Sequence, residues 1–121
     1  MSNVNQLLED AMQIDGATGV ALADWNSGMA LGTAGGSAGF NLEVAAAGNT
    51  EVIRAKMKVM NNLGLTDSIE DILMTLGSQY HLIRLNNKHK GLFFYLVLNR
   101  SQGNLAMARH QLAQIETRLE L

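Results

Sequence analysis

The chain has 121 residues, 47% apolar and 17% charged, the balance of a globular protein long enough to bury a core without staples. A formal charge of −2 with no Lys/Arg cluster excludes the footprint of a nucleic-acid binder or of a protein held to anionic lipid. With no cysteine there are no disulfides, thiolate nucleophiles or cysteine-based zinc sites, and with no proline the turns fall to Gly and Asn.

In chain order, Val4, Leu7, Leu8, Ala11 and Met12 recur at helical spacing and predict a short helix over residues 3–13, stopped at Asp15-Gly16. Residues 18–34 read as a β-hairpin: a strand from Gly19 to Trp25, the turn Asn26-Ser27-Gly28, and a return over 29–34. The glycine-rich stretch 32–39 has the composition of a flexible linker.

The longest helical segment follows, over 42–64, with Asn41 as N-cap and Gly64 as the stop. At 100° per residue, Leu42, Ala46, Ile53, Met57 and Met60 share one side. Ala45, Val52, Val59 and Leu63 form a second apolar stripe, and Glu51, Arg54, Lys58, Asn61 and Asn62 face water. One stripe can cover a core. The second asks for another surface.

Three strands are expected next, over 69–76, 80–85 and 92–98, the last two joined by the polar loop 86–91. The run Leu92–Leu98 has no polar alternation, so it belongs at the sheet centre with helices on both faces, and it is too short to span a bilayer. A final helix, with Ser101 as its cap, carries Leu105, Ala108, Leu112, Ile115 and Leu119 in one narrow stripe, suited to lying on a sheet. The element order is therefore α-β-β-α-β-β-β-α, in a single domain over 1–121. No secretory signal is visible, and a soluble cytoplasmic protein is the plain expectation.

Motifs for chemistry are weak. The glycines at 32–39 lie between a strand and a helix, as a phosphate cradle would. But Gly39 is followed by Phe40-Asn41 in place of Lys-Ser/Thr, and Ala34 breaks a dinucleotide fingerprint. His81, His89 and His110 have no ligand spacing, so no metal or cofactor is expected. Asp67, Glu70 and Asp71 read as a solvated acidic edge, and Trp25 as a plug at the edge of the core. No catalytic site emerges.

The segments Gly16-Ala17-Thr18-Gly19, Ala21-Leu22-Ala23-Asp24 and Ser27-Gly28 resemble the Roadblock/dynein light-chain family. So do Ala45-Ala46-Ala47-Gly48, Ile69-Glu70-Asp71-Ile72-Leu73 and Asn104-Leu105-Ala106-Met107-Ala108-Arg109. The likeness runs from about Gln13 to Leu119, and it is closest to prokaryotic members. It implies an α+β, profilin-like fold: a five-stranded antiparallel sheet with the long helix on one face and the terminal helices on the other. It further implies dimers in which the long helices lie antiparallel and the third strands meet. It implies a non-enzymatic role, as a scaffold or as a regulator of Ras-like small GTPases.

On that pattern Ala45, Asn49, Val52, Lys56, Val59 and Leu63, spaced 4-3-4-3-4, form the helix seam, with Ile69 and Ile72 contributed from the third strand. The expected partners are a second copy and a small GTPase, with no nucleic acid and no membrane insertion. The alternatives are a purely structural subunit of a larger complex, or a small-molecule sensor.

Overall fold

The computed structural model describes residues 2–37 and 39–121. The elements are α1 (Val4–Met12), β1 (Ala17–Asp24), β2 (Ala30–Gly35), α2 (Leu42–Asn62), β3 (Asp71–Thr75), β4 (Gln79–Leu85), β5 (Leu92–Asn99) and α3 (Leu105–Thr117). The strands form one antiparallel sheet in the order β2-β1-β5-β4-β3. The expected element order and the α+β class hold.

β5 lies at the centre, and its side chains divide between two apolar layers. Phe94, Leu96 and Leu98 join Leu7, Leu8 and Ala11 of α1 and Ala108, Leu112 and Ile115 of α3 on one face. Phe93, Tyr95 and Val97 join Leu42, Ala46 and Ile53 of α2 on the other. A strand buried on both sides has no face on which a polar residue would be solvated, hence its unbroken apolar run.

Local chemistry sets the helix ends. The Asn41 side chain accepts from the Val44 N–H at 3.1 Å, and the Asn104 side chain accepts from the Met107 N–H at 3.0 Å. Ser101 is therefore not the cap of the last helix: it lies in the preceding turn, where its hydroxyl and N–H both donate to Asn99 Oδ1. At the end of α2, Gly64 adopts φ +72°, its N–H donating to Asn61 O and that of Leu65 to Met60 O. This paired closure satisfies carbonyls that the helix leaves open. At the Asp15-Gly16 turn, Gly16 has φ +85°, and a Cβ there would lie 2.6 Å from the Gly103 backbone. The α1–β1 and β5–α3 connections pass each other at that point.

Two expectations about extent are corrected. Residues 32–39 are not a free linker. Gly32–Gly35 belong to β2, paired with Gly19–Leu22, and Ser37 bridges Phe40; Ala38 lies outside the described residues. β3 is shorter than 69–76, because its pairing with β4 runs only from Asp71↔Arg84 to Thr75↔Tyr80.

Candidate interaction surface

α2 does not sit centrally on its face of the sheet. It packs on β1 and β2. The Arg54 guanidinium donates to Asn26 O in the β1–β2 turn at 2.6 Å, and Thr50 lies over Gly28 of the same turn. The flank bearing Ala45, Asn49, Val52, Lys56, Val59 and Leu63 is turned the other way by the helical period, over β5, β4 and β3. On that side Ala45 and Asn49 are half-buried, Lys56 is exposed, and Val52, Val59 and Leu63 are 38%, 45% and 67% exposed.

The sheet beside this flank has no helix over it. Ile72 and Met74 of β3 and His81 of β4 point to the α2 face and remain half-buried, as does Ile69 just before β3. β3 is also an outer strand, paired only to β4. The result is a trough, with an apolar helix flank for one wall, Ile69, Ile72 and Met74 in its floor, and an open strand edge on its far side.

The floor contains a polar relay among apolar neighbours. Tyr95 lies diagonal to His81 across the β4–β5 pair, and its hydroxyl meets His81 Nδ1 at 3.0 Å. His81 Nε2 meets Gln79 Oε1 at 2.7 Å, and the Phe40 ring stands edge-on to the imidazole. On α2, Asn49 Nδ2 donates to Ala45 O at 2.7 Å. Burial pushes the Tyr95 phenol up to about 12, against a smaller opposing pull from Asn49, and burial lowers the His81 imidazole. His81 is thus bound into the core layer, a role its isolated place in the sequence does not signal.

The acidic edge also needs correction. Asp71 is not solvated: its side chain is 7% exposed and paired with Arg109 of α3 at 2.5 Å and Arg84 of β4 at 3.5 Å. Arg84 Nε lies 3.5 Å from Glu116 Oε1 without a directed hydrogen bond, and Glu116 accepts from Asn86 Nδ2 at 2.8 Å. Asn86, expected in a polar loop, is 5% exposed. Burial pushes the Glu116 carboxyl above its ordinary range, with Arg84 pulling the other way. This network ties β3, β4 and α3 together, and nothing in the residue spacing marks it, because the register that aligns Asp71 with Arg84 is a property of the sheet.

Trp25 packs at the margin of the α2 layer, as expected. With Met57, Met60, Leu65, Ile69 and Leu85 it borders a cleft of about 330 Å³ beneath the end of α2. His89 meets Leu119 O at 3.3 Å, and His110 is exposed. Among the described residues, no three His, Asp or Glu side chains come together as a metal site, and no helix is long and apolar enough to cross a membrane.

The five-stranded antiparallel sheet, with one long helix on one face and the two terminal helices on the other, matches the Roadblock/LC7 fold. A Roadblock/LC7 domain from Streptomyces avermitilis superposes with a TM-score of 0.81 at 14% identity, over 96% of this chain and 93% of that one. Myxococcus xanthus MglB superposes at 0.75 and 14% identity, over 93% of this chain and 77% of that one. MglC from Myxococcus xanthus superposes at 0.61 and 18% identity, over 94% and 93%. By sequence, no family model and no curated protein matches the chain.

Proposed function

We propose that residues 1–121 form a single Roadblock-like domain that acts as a cytoplasmic, non-enzymatic homodimer and binds and regulates a Ras-like small GTPase. The observation that carries the dimer is the trough: an exposed apolar helix flank beside an uncovered apolar half of the sheet, next to an open strand edge. A second copy of α2, laid antiparallel, fills it with the matching flank, and β3 meets β3 across the two-fold axis. Ala45, Asn49, Val52, Lys56, Val59 and Leu63 then form the seam with Ile69 and Ile72. Asn49 enters the seam with its amide already engaged by Ala45 O, which reduces the cost of covering it. Lys56 reaches past the seam to water along its alkyl stem.

The GTPase reading rests on the family resemblance and on the fold shared with MglB and MglC. In it the dimer orders the partner's switch loops and donates no catalytic charge. One experiment addresses both parts. Molar mass in solution is measured for the chain and for the Val52→Glu, Val59→Glu variant, and each is added to a bacterial Ras-like small GTPase. The wild type is expected to be dimeric and to change nucleotide hydrolysis or exchange, and the variant to be monomeric and inactive. A dimeric variant overturns the seam. A dimeric wild type that alters neither hydrolysis nor exchange makes the chain a structural subunit instead.

A further inference from the structure

We propose that pairing of two copies of this chain is coupled to protonation of His81: the neutral imidazole stabilises the pair, and the protonated one weakens it. The inference rests on the homodimer reading and adds to it a regulated group.

His81 lies in the floor of the trough, held between Tyr95 and Gln79 by a hydrogen bond at each ring nitrogen. Gln79 Oε1 can only accept, and this sets the direction of the relay. His81 Nε2–H donates to Gln79 Oε1, and Nδ1 of the neutral ring accepts from the Tyr95 O–H. The Tyr95 link needs His81 neutral, since Nδ1 accepts in it. A proton on Nδ1 turns it into a donor facing another donor, and the Tyr95 hydroxyl must then release its proton to a new acceptor.

Among the described residues, no negative charge lies against the ring to offset a cation. Met74 of β3 and Val97 of β5 are its register partners on either side, Phe40 stands edge-on, and Gln79 and Tyr95 are its hydrogen-bond partners. Tyr95 is the one titratable group among them, and it stays protonated throughout the range in which histidine titrates. From α2 the seam offers the uncharged Asn49, and its one charged residue, Lys56, is itself a cation. Among the described residues, no carboxylate pairs with His81.

In a single chain the ring is only half-buried, so water can solvate the displaced donor and the charge. A second α2 lying in the trough replaces that water with Ala, Val and Leu side chains. The cost of the charged ring is therefore larger in the pair than in the separate chains, and it is incurred twice, once per copy. By linkage the pair binds fewer protons than two separate chains, so lowering the pH through the titration of His81 drives dissociation.

The test is the dimer dissociation constant by sedimentation equilibrium between about pH 8 and about pH 5, the window in which histidine is the ordinary titrating side chain. Four chains are compared: wild type, His81→Gln, Tyr95→Phe, and the double variant His89→Gln, His110→Gln. Wild type and the double variant are expected to dissociate about tenfold or more readily at the lower pH, two sites each contributing. His81→Gln is expected to show little change across the range. Tyr95→Phe removes the donor that opposes the imidazolium and is expected to show a shallower slope than wild type. A wild-type dimer with pH-independent affinity overturns the coupling and leaves the dimer standing. An equal slope in His81→Gln, or its loss in the double variant, assigns the proton elsewhere and also overturns it. A chain that is monomeric at every pH overturns both the dimer and the coupling. Circular dichroism at each pH confirms that the compared species are folded, and wild type with the double variant decides the matter if the His81 variant does not fold.

Discussion

At the scale of single residues, the departures from expectation concern charge. Asp71 reads from its neighbours Asp67 and Glu70 as part of a wet edge, yet it is enclosed between Arg84 and Arg109. Glu116, outside the apolar stripe of the last helix, is 5% exposed. Its carboxyl is raised because the cost of burying the charge exceeds what Arg84 returns. A raised carboxyl holds its proton in the folded chain at pH values where the unfolded chain has lost it. The cost to stability is therefore absent below the unfolded value, near pH 4.5, and complete above the folded one. Glu116→Gln keeps an acceptor for Asn86 and removes the titration. Its stability relative to wild type is expected to rise between about pH 4 and about pH 7, read from urea unfolding at each pH. A relative stability that stays constant or falls over that range contradicts the account. The loss of one partner of Arg84 adds an offset without pH dependence, so the slope is the informative quantity.

At the scale of elements, period and capping chemistry were legible. α2 runs from the Asn41 cap to the Gly64 closure as its sequence indicates, and β5 is central because its apolar run admits no solvated face. The exact ends were less so. Ser101 and Asn104 are both acceptable caps by residue type, and the choice of Asn104 follows from where α3 must start to lay Ala108, Leu112 and Ile115 on the sheet. Gly32–Gly35 pass for a linker by composition, and only pairing with β1 makes a strand of them. Asn104→Ala is expected to cost about 1 kcal/mol through the lost cap. Gly64→Ala is expected to cost about 1–2 kcal/mol, because a Cβ there meets no neighbour and the whole effect is the left-handed backbone. Chemical denaturation checks both, and a Gly64→Ala variant as stable as wild type would sink the closure argument.

At the scale of the whole molecule, the decisive fact is asymmetry. One face of the sheet is covered by α1 and α3, whereas on the other α2 sits over β1 and β2 and leaves β3 and β4 open. A fold with half of one core layer unfinished has a reason to pair. If the pair is the folded unit, native dimer is in equilibrium with unfolded monomers, and the melting temperature is expected to rise with protein concentration over about a hundredfold range. A melting temperature unchanged by dilution in that range would mean that the single chain is stable with its trough open.

The sequence by itself determined the element order, the helix caps at Asn41 and Gly64, the buried central strand and the surplus apolar stripe on α2. These depend on neighbours within a turn of helix or a few residues of strand, where backbone geometry sets which side chains share a face. Only the tertiary structure decided which way the stripe of Ala45, Val52, Val59 and Leu63 points, that Asp71 meets Arg84 and Arg109, and that His81 is held between Tyr95 and Gln79. Those outcomes depend on strand register and on the lateral seat of α2, which bring together residues far apart in the chain and leave no mark in local spacing.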